Sequence, residues 1–224
     1  MNNKQYKVSI LEFEKPDLNW KLETQNFKQI MDKIAIIDYG AGNVQSVKYA
    51  LERLGKDSRL TNNADEILNA KKVIFPGVGE AYSAMNALKS LGLDKLIPKI
   101  KQPFLGICLG MQLMCESSEE RNTKALGIFP IKVKRFQVDL KIPQIGWNQI
   151  RDLKTDLFKD IDENSFMYFV HSYYIPENEY SIANSDYGIN FSAAIKKDNF
   201  YACQFHPEKS GNIGQQILKN FLEI

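Results

Sequence analysis

The chain has only two histidines and three cysteines among its 224 residues, and this scarcity narrows its chemistry before any motif is read. Two histidines and no CxxC pair are too few soft ligands for a His/Cys metal site, so no metal is expected. Cys108, Cys115 and Cys203 form an odd set with no paired spacing. That excludes a disulfide framework and fits a reducing, cytoplasmic setting. No run of about 18 apolar residues occurs, so no membrane span is expected. The N-terminus lacks the charged-then-apolar order of a signal peptide. Neither sign of charge dominates, with 29 Lys and Arg against 27 Asp and Glu, so nucleic acid is not an expected partner. There is no low-complexity tract and no internal repeat. What is present, 44% hydrophobic and 25% charged residues, suffices for one buried core in a single domain or at most two small ones.

Residues 1–30 stand apart. Tyr6, Val8 and Ile10 alternate with polar neighbours, which predicts one short strand; the rest of the segment is weakly periodic. From Ile34 a regular order begins. Ile34-Ala35-Ile36-Ile37 is a continuous apolar run, as in a parallel strand buried on both faces. A glycine-rich turn through Asn43 follows it. Val44, Val47, Leu51 and Leu54 then recur at helical spacing, with Gly55 placed as a C-terminal cap. The unit repeats with Lys72 to Phe75, the turn Pro76-Gly77-Val78-Gly79, and a helix face of Ala81, Ala84, Met85, Leu88 and Leu91 closed by Gly92. Pro103 to Ile107 is a third strand, and Leu109 to Met114 starts a helix. Strands alternating with helices predict an α/β fold, a mostly parallel central sheet with helices on both faces. Shorter β-like runs at 131–133, 166–170, 191–195 and 200–204 are candidates for an antiparallel extension. A last helix has Ser210 as its predicted N-cap and Ile213, Ile217, Leu218 and Phe221 on one face.

The sharpest chemical signal is Gly106-Ile107-Cys108-Leu109-Gly110, set between strand and helix. It matches the nucleophile elbow with Cys in place of Ser. Glycines are required there because strand and helix backbones approach too closely for side chains. The turn lifts the sulfur out at the end of the sheet, near a helix N-terminus that favours thiolate. The amide of Leu109 is then free for a developing oxyanion. A merely buried cysteine in a glycine-flanked turn is the plainer alternative.

A cysteine nucleophile needs a base, and only His171 and His206 are available. His206 sits in Gln204-Phe205-His206-Pro207-Glu208. Pro207 stiffens the chain there, and Glu208 is placed to orient the imidazole, the third role of a triad. Alone, this stretch would read as a surface turn. His171 lies among aromatics without a neighbouring acid and reads as a core or wall residue. The glycines around Val78 free backbone N–H groups to face a ligand, which makes Val78 a candidate second oxyanion donor.

Together these segments resemble the class I glutamine amidotransferases, with a nucleophile elbow. Within that family they are similar to the glutaminase subunits of imidazole glycerol phosphate synthase. The resemblance runs from about Lys33 to the C-terminus. It rests on the elbow and the His-Pro-Glu motif, which define the wider class. The stretches Asp38 to Asn43 and Ile145-Gly146-Trp147-Asn148 point to the subfamily, joined by Phe75 to Gly79, Glu116 to Glu120 and Phe169 to Tyr173. The resemblance implies that Cys108 attacks the side-chain amide of L-glutamine, that His206 protonates the leaving ammonia and then activates water, and that Glu208 orients His206. It places Gly77, Gly79, Gln112, Glu120, His171, Ser172 and Tyr173 around the glutamine and Val78 and Leu109 at the oxyanion. It turns Asn43, Trp147 and Lys209 toward a partner, a cyclase subunit with a (β/α)8 barrel that uses the ammonia in histidine biosynthesis. No cofactor is implied.

Ala41, Gln144 and Arg121 depart from residues frequent in the family; none touches the triad. Residues 1–30 have no family counterpart and are expected to be a mis-called upstream start, with Met31 where a member would begin, or else a lineage-specific extension before a domain at 31–224. Two other readings remain: the same glutaminase chemistry serving a sugar-aminating partner in polysaccharide biosynthesis, and a degenerate, non-catalytic scaffold on the same fold.

Overall fold

The structure is a computed structural model and describes residues 33–40 and 42–224. The strand expected around Tyr6, Val8 and Ile10 lies outside the described residues, as do the whole of 1–30 and Ala41.

In chain order the strands are β1 (Ile34–Ile37), β2 (Ser58–Thr61), β3 (Lys72–Gly77), β4 (Phe104–Cys108), β5 (Cys115–Ser118), β6 (Thr123–Lys124) and β7 (Phe129–Arg135). They continue with β8 (Gln144–Ile150), β9 (Ser165–His171), β10 (Tyr173–Tyr174), β11 (Ser181–Asp186), β12 (Asn190–Lys197) and β13 (Phe200–Cys203). The helices are α1 (Val44–Arg53), α2 (Ala64–Asn69), α3 (Ala81–Ser90), α4 (Leu93–Leu96), α5 (Leu109–Leu113) and α6 (Gly211–Glu223).

Seven strands form the central sheet in the order β11-β12-β13-β4-β3-β1-β2. From β2 to β13 every pairing is parallel, and β12 and β11 add an antiparallel edge. Alternate residues of one strand serve opposite faces. Ile34 and Ile36 pack in one apolar cluster with Val47 and Leu51 of α1 and Ile217, Leu218 and Phe221 of α6. Ala35 and Ile37 pack in the other with Met85 and Leu88 of α3 and Leu93 of α4. This double burial is why β1 reads as an unbroken apolar run, and it gives the helix-covered parallel sheet that the alternation of elements predicts.

The second half divides further than its sequence suggests. Of the four short runs, only 191–195 extends the central sheet antiparallel, as β12. The run 200–204 becomes β13, parallel to β4. The run 131–133 lies in a separate four-stranded sheet, β10-β7-β5-β6, and 166–170 pairs with β8 in a two-stranded antiparallel ribbon. The ribbon alternates cleanly. Ile145, Trp147 and Gln149 stand opposite Val170, Tyr168 and Phe166 on one face, and Ile145, Trp147 and Phe166 are exposed there. Met167 and Phe169, on the other face, are fully buried.

Gly55, at φ 67°, follows α1 as expected. Its N–H reaches Glu52 O at 2.9 Å, while that of Lys56 reaches Leu51 O at 3.0 Å, the paired closure of a glycine-terminated helix. Ser210 does stand at the N-cap of α6, but its side chain makes no cap hydrogen bond. Its hydroxyl is committed instead to β9 and to the backbone of His206.

Candidate active site

Cys108 ends β4 with φ 53° and ψ −107°, a conformation costly for a non-glycine residue and typical of the strained elbow. The glycines around it are needed for contact. A Cβ on Gly110 would run into the carbonyl of Phe75 on the neighbouring strand, and one on Gly106 would meet Met114 Sδ and the backbone of α5. Gly77 of β3 is in register with Cys108, so the Pro76-Gly77-Val78-Gly79 turn leaves the sheet directly beside the elbow. Leu109 opens α5, where its N–H has no acceptor within the helix.

The loop after β13 carries His206, which is buried together with Glu208. His206 Nδ1 donates to Glu208 Oε1 at 2.8 Å. Asn43 Nδ2 donates to the same oxygen at 2.5 Å, so the residue that the family resemblance turned toward the partner also holds the Glu208 carboxylate. The loop is stitched to β9. His206 N–H donates to Tyr168 O at 2.9 Å, Tyr168 N–H donates to Ser210 Oγ at 3.0 Å, and Ser210 Oγ–H donates to His206 O at 2.7 Å. Burial alone would push the His206 imidazolium down. The negative charge of Cys108, a hydrogen bond with it, and then the bond and charge of Glu208 outweigh burial and raise His206 to about 10.

The other titratable groups behave differently. Burial pushes the thiols of Cys115 and Cys203 upward, so neither competes as a nucleophile. Burial lowers His171 to about 4, against the hydrogen bond of its Nδ1 to Tyr173 O at 2.7 Å. His171 packs against the rings of Phe136, Phe169 and Phe191, as an uncharged wall residue would. Burial, then the nearby Cys108, also push the Tyr39 phenol upward; its hydroxyl donates to Pro76 O at 3.1 Å.

A cavity of about 280 Å³ opens over the sulfur. Cys108, His206, Val78, Gly79 and Leu109 line one part of it, and Gln112, Glu120, His171, Ser172 and Tyr173 the rest, with Lys209 at the wall. Of the expected substrate residues only Gly77 is not in the lining; its Cα faces the Tyr39 hydroxyl and Leu109. Trp147 stands apart on the exposed face of the β8–β9 ribbon. Glu120 Oε2 accepts the N–H of Ala81 at 2.6 Å, which anchors its carboxylate at the start of α3. Among the described residues no group of three or more His, Cys, Asp and Glu could hold a metal ion, and no helix is long and apolar enough to cross a membrane. The size of the cavity, one carboxylate at a wall and a sulfur beneath an imidazole suit a small amino-acid amide and acyl transfer through sulfur.

Three contributors escape sequence reasoning: Asn43 on Glu208, Ser210 on His206, and Gln204, whose Nε2 lies 3.6 Å from Cys108 Sγ. Each contact joins residues at least 42 apart or uses a polar side chain in a role that no local pattern marks; Ser210, only four residues from His206, reads instead as a helix cap.

The sequence is similar to those of known proteins along most of its length. The profile of the family "Glutamine amidotransferase class-I" matches residues 35–224. The chain is 55% identical over 195 residues to the imidazole glycerol phosphate synthase subunit HisH of Bacteroides fragilis YCH46, a match covering 86% of this chain and 100% of that one. It is 50% identical over 194 residues to the subunit of the same name from Buchnera aphidicola of Acyrthosiphon pisum, covering 85% and 99%. Among solved structures, a putative GMP synthase subunit from Thermoplasma acidophilum superposes with a TM-score of 0.67 at 24% identity, over 86% of this chain and 93% of that one. At that identity the likeness is one of fold alone.

Proposed function

The chain belongs to the class I glutamine amidotransferases, among the glutaminase subunits of imidazole glycerol phosphate synthase, and on that premise we propose that Cys108, His206 and Glu208 hydrolyse glutamine to glutamate and ammonia. As such, the chain is a glutamine amidotransferase with a role in histidine biosynthesis. The observation that carries the assignment of residues is the cavity in which Cys108 and His206 meet, with Glu208 hydrogen-bonded behind the imidazole.

The chemistry follows from the charges. The Cys108 thiolate and the His206 imidazolium stabilise each other, and Glu208 holds the ring by Nδ1 so that its other nitrogen serves the reaction. The sulfur attacks the carboxamide carbon and forms a C–S bond. The carbonyl oxygen becomes an oxyanion, for which the amides of Val78 and Leu109 are the proposed donors. The C–N bond breaks as His206 gives its proton to the leaving nitrogen, releasing ammonia and leaving a thioester. Water then attacks, His206 takes its proton, and the C–S bond breaks to release glutamate. Glu120 is the proposed partner of the substrate α-ammonium group. Gln112 and the 171–173 segment wall the same pocket, with Val78 and Gly79 of the 76–79 turn.

We infer that the ammonia passes to a cyclase subunit, which makes imidazole glycerol phosphate and aminoimidazole carboxamide ribonucleotide. The exposed ribbon face of Ile145, Trp147 and Phe166, with Asn43 and Lys209, is the proposed side of contact. The three free cysteines suit a reducing, cytoplasmic setting. Replacing Cys108 tests the assignment: Cys108→Ala abolishes glutamine-dependent product formation by the reconstituted complex and leaves ammonia-dependent synthesis. Retained glutamine turnover would refute it.

A further inference from the structure

The triad chemistry leaves Gln204 unused, yet its side chain is wholly buried and lies against the reacting sulfur. Its Nε2 is 3.6 Å from Cys108 Sγ. Its Oε1 is 2.9 Å from Gln112 Nε2, and that nitrogen is also 3.0 Å from the carbonyl of Tyr173. Either amide could in principle be turned around, but the Tyr173 carbonyl decides. A backbone carbonyl only accepts, and this one already takes the N–H of His171 Nδ1. The end of Gln112 facing it must therefore be the amino group. The second proton of that group points to Gln204, so the Gln204 atom there must be the oxygen. The amino group of Gln204 is then left facing the sulfur. One backbone carbonyl orients both amides in series.

The sulfur has a second neighbour at 3.6 Å, the carbonyl oxygen of Val170. A thiol can donate to that carbonyl, whereas a thiolate faces its negative end. An N–H on the other side reverses the preference, because hydrogen bonds to an ion are stronger than those to its neutral form. We propose that Gln204 is a positioning residue that donates a hydrogen bond to the Cys108 sulfur, fixes its place at the cavity wall and favours its ionised form over the pull of the Val170 carbonyl. This rests on the reading of Cys108 as the nucleophile. The groups that act on the sulfur from surrounding elements are Tyr39 after β1, Cys203 on β13 and His206 on the following loop; Glu208 and His171 act through His206. None of these is altered when Gln204 is replaced.

In the full chain, Gln204→Met keeps most of the volume and removes the donor. The rate of Cys108 alkylation by iodoacetamide, followed by peptide mass across pH, reports the thiolate directly. Its midpoint moves to higher pH by about one unit relative to the unaltered protein, and kcat for glutamine falls. An alkylation profile that superimposes on that of the unaltered protein overturns the proposal. Should Gln204→Met not fold, the native chain still decides. The side-chain amide resonances of Gln204 shift with pH at the alkylation midpoint and lose that response once Cys108 is alkylated; resonances indifferent to both overturn it. Glutamine turnover that survives Cys108→Ala sinks the nucleophile reading. An inactive Cys108→Ala beside an unshifted Gln204→Met profile sinks only the role of Gln204.

Discussion

Two buried histidines in one cavity wall are driven in opposite directions, and the cause lies in what each faces. His206 lies between Cys108 and Glu208 and is raised to about 10. His171 faces three aromatic rings and a carbonyl and is lowered to about 4. The linkage signs differ accordingly. His206, raised above its unfolded value near 6.5, contributes stability in full below pH ~6.5 and loses it as pH rises through about 10. His171, depressed, contributes above pH ~6.5 and loses it as pH falls toward 4, because the unfolded chain takes up the proton first. For a group this buried the loss is on the order of 3 kcal/mol. Denaturant unfolding at about pH 7.5 and about pH 5 therefore shows a smaller drop in stability for His171→Gln than for the unaltered chain. An equal drop in both would show that His171 is not the group that titrates.

At the scale of elements, the site is a junction of three pieces: the β4–α5 elbow, the turn after β3, and the loop between β13 and α6. The last is held to β9 by Ser210, whose hydroxyl accepts from Tyr168 N–H and donates to His206 O. Ser210→Ala leaves the part-buried Tyr168 amide without its partner, while His206 O keeps the N–H of Lys209 at 3.0 Å; the lost bond costs about 1 kcal/mol. It also loosens the backbone that carries His206. Stability by denaturant and kcat should both fall, with KM for glutamine less affected; a stable variant of full activity would show that the stitch does not matter. The elbow is legible in the sequence because close approach leaves a mark: a Cβ on Gly110 would strike the Phe75 carbonyl, and one on Gly106 the Met114 side chain. The role of Ser210 is not, because an N-cap serine and a cross-linking serine have the same local sequence, and only the position of β9 separates them.

Over the whole molecule, the parallel sheet is legible because both its faces are covered. Ile34 to Ile37 serve two apolar clusters at once, and no polar residue interrupts the run. The β8–β9 ribbon is not, since the apolar Ile145 and Trp147 of β8 face outward and its pairing with β9 joins stretches about 20 residues apart. Cys108, His206 and Glu208 stand out through rare residue types in tight motifs. Asn43 and Gln204, which contact Glu208 and Cys108 from 165 and 96 residues away, are polar side chains in ordinary contexts and acquire their partners only on folding. The ribbon also connects distant parts. One face exposes Trp147, while its β9 strand carries Tyr168 against the His206 loop and, near its end, brings the Val170 carbonyl beside Cys108.

The central claim is that one sulfur, and no other group, attacks the glutamine side chain. A diazo-ketone analogue of glutamine, added to the native chain with and without the proposed cyclase partner and followed by peptide mapping, tests it most directly. A single adduct on Cys108, prevented by excess glutamine, is the predicted result. An adduct on Cys115 or Cys203, or no adduct even with the partner present, would contradict it.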